Sequence, residues 1–338
     1  MDIKVEKRVL HFKQPAGTSR GVYRTRTTWL VTVTDGDASG IGECAPLPRL
    51  SCDDMVDYET VLRRFCGQVA CTGAIDMEAM RDYPSMLFGL ETAMLSLRSV
   101  RLFDTPFSRG EEGIPINGLV WMGTHDQMLA RIEEKLQQGF GCLKLKIGAL
   151  DFKKELNLIQ HIRERYTPEQ IELRVDANGG FFPGDALSRL RQLAKYHIHS
   201  IEQPIMAGRW DEMAELCRHS PVPIALDEEL IGVNEPGQKM KLLDTLRPQY
   251  VILKPSLHGG VAGTREWASL AAERGVGSWI TSALESNVGL NAIAQLAAFI
   301  YGPRIAMPQG LGTGMLFADN VPMPLEIRKD QLWISANS

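Results

Sequence analysis

From Ile114 onward, short apolar runs alternate with stretches in which apolar residues recur every three or four positions. The runs fall near 114–119, 142–147, 171–176, 198–202, 223–227, 249–254, 277–281 and 304–307, and each but the last precedes a helix-like segment. Short continuous apolar runs fit buried strands, and the longer spacing fits helices with one apolar face. One helix is well delimited: Thr124 and Gln127 form a capping box, Leu129, Ile132 and Leu136 make its apolar stripe, and Gly139 stops it. Strands separated by helices of this length cannot be hairpin partners, so the pattern predicts a parallel sheet. Eight such units close into a (β/α)8 TIM-type barrel, with a doubly wound open sheet as the alternative.

The first hundred residues follow another rhythm. Residues 3–12 and 28–33 alternate as strands, Asp35-Gly36 signals a hairpin turn, and a further strand ends near Glu43. One helix is expected from Ser51, with Asp54 completing a capping box, and a second over 85–97. These elements predict a small α+β domain over 1–110 ahead of a barrel domain over 111–315. The stretch 316–338 reads as a strand pair that returns to the N-terminal domain.

Composition narrows the partners. With 338 residues, 44% hydrophobic and 23% charged, the chain is globular. A net charge of −4 without any Lys/Arg cluster argues against nucleic acid and leaves a small molecule as the expected partner. The N-terminus carries no apolar stretch of signal-peptide kind, and the apolar run 290–301 is broken by Asn291 and Gln295. It falls short of the about 20 residues a membrane span needs. No membrane association and a cytoplasmic location are therefore expected. The six cysteines, at 44, 52, 66, 71, 142 and 217, form no C-x-x-C pair and are expected as free thiols. The sequence does not specify an oligomeric state.

Candidate chemistry lies where charge interrupts the apolar runs. In Gly-Cys-Leu-Lys144-Leu-Lys146-Ile the period of two puts both lysines on one face, and later runs end in Asp176, Glu202, Asp227 and Lys254. From Lys146 the spacings are 30, 26, 25 and 27 residues, each one strand–helix repeat. Residues at the carboxyl ends of successive barrel strands converge on one mouth. Three carboxylates brought together without a cation would repel, whereas a hard divalent ion accepts them as oxygen ligands. Mg²⁺ is expected, with Mn²⁺ as a substitute, leaving positions for water and substrate oxygens. The flanking lysines suit acid–base work, because the Lys144 charge and a divalent metal lower the pKa of Lys146. Such a site suits removal of a proton α to a carboxylate, where Mg²⁺ neutralises the resulting enediolate.

On these residues the chain resembles the enolase superfamily, and within it the muconate-lactonizing subgroup, whose members carry an N-terminal capping domain over a modified (β/α)8 barrel. The resemblance implies that Lys144, Lys146 and Lys254 are the catalytic lysines and that Asp176, Glu202 and Asp227 hold the metal. It is closest in Arg174-Val-Asp176-Ala-Asn178, in Lys254-Pro-Ser-Leu-His-Gly-Gly260, in Thr281-Ser-Ala-Leu-Glu-Ser-Asn-Val-Gly289 and in Gly310-Leu-Gly-Thr-Gly-Met-Leu-Phe317. These stretches imply substrate-binding roles for Arg174, Asn178, Ser256, Ser282, Glu285, Gly310 and Gly312. The chain departs from many relatives at Glu229, where they carry Ser.

The implied reaction is a lyase step, syn dehydration of a cyclohexadiene carboxylate bearing a succinyl side chain. Lys146 would take the α-proton and then assist hydroxide departure, with Lys254 a cation on the other face. The alternative is an N-acylamino acid racemase or dipeptide epimerase, in which both lysines exchange protons. No Asp-x-Asp stands near the last strand to hold an α-ammonium; Asp319 is alone there. A noncatalytic barrel is the third reading, and retention of all five charges speaks against it. The N-terminal domain is expected to act as a lid, through loops near Ala16-Gly17 and residues 46–51.

Overall fold

The computed structural model of the chain describes residues 1–18 and 21–335. The N-terminal elements are an antiparallel sheet of β1 (Asp2–Thr18), β2 (Gly21–Asp35) and β3 (Ala38–Cys44), followed by helices α1 (Tyr58–Thr72) and α2 (Pro84–Arg98). The β2–β3 hairpin turns at Asp35-Gly36, with Asp35 opposite Ala38 and Gly36 in the left-handed region, as its sequence predicts. Trp29, Val31 and Val33 of β2 pack with Leu62, Phe65 and Val69 of α1 and Met86, Leu90 and Ala93 of α2 in a core of their own. Helix α2 approaches β3 so closely that a Cβ on Gly42 would lie 1.9 Å from the Gly89 carbonyl, so glycine is required at that crossing.

The helix expected from Ser51 begins instead at Tyr58. Ser51 Oγ accepts from Leu47 N–H at 2.7 Å and an Asp54 carboxylate oxygen accepts from Arg49 N–H at 2.7 Å. Both side chains are spent on the preceding turn. Ser and Asp offer the backbone such local partners in competition with a helix.

The barrel is built from β5 (Gly118–Val120), β6 (Cys142–Lys146), β7 (Glu172–Asp176), β8 (Ser200–Glu202), β9 (Ile224–Leu226), β10 (Tyr250–Leu253) and β11 (Gly277–Ile280), all parallel and in that order. Each is followed by a helix: α3 (His125–Gln137), α4 (Phe152–Arg163), α5 (Pro183–Ala194), α6 (Trp210–His219), α7 (Pro236–Leu246), α8 (Gly260–Glu273) and α9 (Asn287–Tyr301). Both arms of the Thr124/Gln127 capping box are present.

The eighth strand differs from expectation. In place of a run at 304–307, the ring closes through parallel bridges from Gln309 to Ile116 and from Gly310 to Thr281. A Cβ on Gly310 would stand 2.1 Å from Thr281 Oγ1, which explains why a glycine completes the ring. Among the described residues no helix follows, only a 3₁₀ turn over Gly312–Leu316.

Of the final stretch, Phe317 stacks on Phe12 at 4.5 Å and Ala318 N–H donates to the His11 carbonyl, so its start meets β1. The strand pair β12 (Leu325–Arg328) and β13 (Gln331–Ile334) instead joins β4 (Ile114–Pro115) beside the barrel. A separate apolar cluster draws Leu10, Ala16, Tyr23 and Leu47 together with Leu257, Ala283 and Leu284 and joins the two regions. All six cysteines are unpaired.

Candidate active site

The strand ladder places the chemistry. Lys146 stands level with Asp176 across β6–β7, and Asp176 with Glu202 across β7–β8. Asp227 follows β9 and Lys254 follows β10. Asp176, Glu202 and Asp227 are fully buried, and one oxygen of each lies within 4.8 Å of the other two. In an eight-membered ring β6 and β10 are four places apart, so Lys146 and Lys254 face each other across the mouth with the three acids between them.

Ion pairs tie the cluster together. Lys144 Nζ lies 2.5 Å from Glu202 Oε2 and 3.1 Å from Asp176 Oδ2, Lys146 Nζ 2.6 Å from Asp176 Oδ2, and Lys254 Nζ 2.5 Å from Asp227 Oδ2. Burial alone would lower the Lys144 pKa, but Glu202 and Asp176 outweigh it and hold the ammonium above the usual lysine range. Lys144 is thus held as an ammonium between Glu202 and Asp176. Lys254 is raised in the same way, through Asp227 and Glu228 against burial. Asp176 is the reverse case: burial pushes it up, and Lys146 with Lys144 drives it well below the usual carboxylate range. Glu202 is pushed up to about 8 by burial, opposed by Lys144 and reinforced by Asp176 and Asp227.

The donor set fits a hard divalent cation. Glu202 Oε1 and Asp227 Oδ1 are buried without a hydrogen-bond partner among the described residues, and such acceptors are costly unless something positive meets them. All the atoms on offer are carboxylate oxygens, which suit Mg²⁺ or Mn²⁺ and not a thiophilic metal.

Above the cluster opens a pocket floored by Lys144, Lys146, Asn178, Glu228 and Lys254. Asn178, in the left-handed region at φ 44°, orients this floor: its Oδ1 accepts from Lys146 Nζ at 2.9 Å and its Nδ2 donates to Glu228 at 3.0 Å. One wall is Thr281 to Leu284 and another Gly310, Gly312 and Thr313, with Ser282 and Thr313 hydroxyls 2.5 Å apart. Leu119 and Trp121 follow from β5, and the N-terminal region contributes Tyr23, Leu47 and Leu50.

Of the expected substrate-binding residues, Asn178, Ser282, Gly310 and Gly312 line this pocket; Arg174, Ser256 and Glu285 do not. Arg174 shares the inward face of β7 with Asp176, but two residues earlier, about 7 Å deeper. Its guanidinium turns down to Glu172 at 2.7 Å and to the Pro308 carbonyl at 2.8 Å, and lies over the Trp279 ring. Ser256 and Glu285 hydrogen-bond each other behind the wall. Glu229 is directed away from the pocket, accepting from Gly208 N–H at 2.8 Å and Gln203 Nε2 at 2.9 Å. Leu47 and Leu50 fall in the 46–51 loop expected as part of the lid, whereas sequence reasoning missed Glu228, Trp121 and Tyr23. Glu228 had a signal in its place directly after a strand-end Asp; the others read as ordinary apolar positions.

Two family models match the chain, "Enolase C-terminal domain-like" over residues 127–335 and "MenC, N-terminal domain" over 18–97. The chain belongs to the enolase superfamily. An o-succinylbenzoate synthase of Desulfotalea psychrophila is 45% identical over 99% of both chains, and the crystal structure of MenC from that organism superposes with a TM-score of 0.83 at 41% identity, covering 99% of each. Within the superfamily the chain therefore falls among the o-succinylbenzoate synthases. An L-Ala-D/L-Glu epimerase of Bacillus subtilis is more distant, 25% identical over 88% of this chain and 84% of its own. No helix among the described residues is long and apolar enough to cross a membrane.

Proposed function

We propose that this chain is a Mg²⁺-dependent lyase that converts 2-succinyl-6-hydroxy-2,4-cyclohexadiene-1-carboxylate to o-succinylbenzoate and water, a product that the name of its 45% identical relative gives. The observation that carries the proton-abstraction chemistry is the placement of Lys146 and Lys254 on opposite sides of three buried carboxylates, and the 45% identical o-succinylbenzoate synthase, against a 25% identical epimerase, favours dehydration over racemisation. Asp176, Glu202 and Asp227 would hold the metal, which when bound supplies positive charge to the substrate carboxylate as its α-proton is lost. Lys146 Nζ removes that proton from C1. The ring C6–O bond then breaks, and the same ammonium returns a proton so that water leaves from the same face. The ring electrons close into the aromatic sextet, so no oxidant or reductant is needed. Lys254 remains an ammonium on the far face and stabilises the enediolate by charge, consistent with the way Asp227 and Glu228 hold it protonated. We also propose that residues 1–110 form the lid, since Tyr23, Leu47 and Leu50 roof the pocket.

A test separates the lyase from a racemase. Lys146→Ala loses base and acid together and should fall by at least about 100-fold, the lower end of what general acid–base groups contribute. Lys254→Arg keeps the charge and should retain a trace of turnover. In ²H₂O the wild type should dehydrate its substrate without washing deuterium into the α-carbon of an N-succinylamino acid. Rapid exchange at that carbon, lost in either lysine variant, would show that both lysines act as bases and would move the racemase reading ahead.

A further inference from the structure

One buried charge takes no part in the chemistry above. Arg26, on β2, is 1% exposed and makes no ion pair among the described residues, with the Glu285 and Glu43 carboxylates near enough to favour its charge against the burial that opposes it. Its donors go to four backbone carbonyls: Nη2 to Ala45 at 2.6 Å and Ala283 at 3.4 Å, Nε to Leu284 at 3.1 Å, and Nη1 to Pro46. A guanidinium has five donors in a fixed fork, and burying it to spend those donors on backbone carbonyls is an expensive way merely to glue two surfaces together.

What the fork joins is the pocket. Ala45 and Pro46 lead directly into Leu47, a lining residue of the roof, while Ala283 and Leu284 are lining residues of the barrel wall. The same loop passes the constraint on: Glu285 accepts from Ala283 N–H at 2.7 Å and from Ser256 Oγ, two residues beyond Lys254. Cohesion between the two regions has other sources. Glu43 accepts from Ser286 and Gly289 N–H at the start of α9, and Glu91 from Val261 and Ala262 N–H at the start of α8.

We infer that Arg26 is a positioning residue that sets the roof loop 45–47 and the wall loop 283–284 at a fixed distance, so that the substrate pocket exists only when one guanidinium bonds both. The inference rests on the proposed dehydration only for its kinetic readout. With Arg26 replaced, Glu43 and Glu91 keep the regions docked, and the loss should appear in substrate binding.

Arg26→Ala and Arg26→Lys test this. The KM for the cyclohexadiene substrate should rise at least about tenfold in Arg26→Ala, with kcat less affected and Mg²⁺ affinity by calorimetry unchanged. Millimolar guanidinium, and not equimolar NaCl, should restore the KM of Arg26→Ala. Arg26→Lys keeps the stem and charge, guards against a variant that does not fold, and should lie between. Amide hydrogen exchange gives a readout independent of the reaction: segments 45–50 and 281–286 should lose protection together, with 261–264 unchanged. Wild type lacking dehydratase activity would remove the function and leave the exchange result to judge the clamp. A KM within twofold of wild type, Mg²⁺ affinity falling in step with KM, or unchanged exchange at both segments would overturn it.

Discussion

Glu202 stands between two other carboxylates, fully buried, with Oε2 on Lys144 and Oε1 facing no donor among the described residues. Burial and the neighbouring carboxylates push Glu202 toward taking up a proton, and a divalent cation at Oε1 would favour its charged form instead. Glu202→Gln keeps the shape and removes the charge, so Mg²⁺ affinity by calorimetry should fall at least about 100-fold, the upper end of what even outer-shell partners of metal ligands are worth. Affinity within a few-fold of wild type would take Glu202 out of the metal's ligand set. Arg174 teaches the opposite lesson at the same scale. It shares a strand face with a site residue, yet its length lets it turn to the barrel floor, where it stacks on Trp279.

Among the elements, α8 and α9 both begin at carboxylates lent by the N-terminal region. Helix N-termini expose unpaired N–H groups and favour anions, but burial works against the charge. Burial raises the Glu91 carboxyl to about 7, with the Val261 and Ala262 N–H bonds pulling the other way. The folded state then holds this proton more tightly than the unfolded chain, whose carboxyl titrates near 4.5. Between those values the folded state binds more protons, so stability declines as pH rises, and above about 7 the cost is constant. Glu91→Gln does not titrate. Its Tm relative to wild type should therefore climb from pH 4.5 to 7 and then level off, and a difference that stays flat across this range would place the carboxyl in its ordinary range.

For the whole molecule, the pocket belongs to neither region alone, since Leu47 and Leu50 roof a floor built from barrel strands. A dianionic substrate under that roof makes charge there decisive. Leu50→Asp should raise KM at least tenfold, about 1.4 kcal/mol, while leaving Mg²⁺ affinity unchanged, because the roof supplies no ligand. Equal KM values for variant and wild type would mean that the roof stands clear of the bound substrate.

The spacing of Lys146, Asp176, Glu202, Asp227 and Lys254 was readable because each step is one strand–helix repeat, and strand alternation carries a side chain's direction within a few residues. The hairpin at Asp35-Gly36 and the Thr124 capping box were readable for the same reason: every partner is a near neighbour. Ring closure at Gln309-Gly310 was not, since two residues leave no periodicity and the closing contacts reach Ile116 and Thr281. Ser51 and Asp54 misled because the same side chains satisfy a turn as well as a helix start. Arg26 lies ahead of the strand expected over 28–33 and carried no signal, and its bond to Leu284 spans 258 residues. Sequence alone determined the repeat and the charges riding on it. Which of those charges meet in a pocket, and what roofs it, was decided by packing between distant segments, because a contact's energy depends on distance in space and local pattern does not encode it.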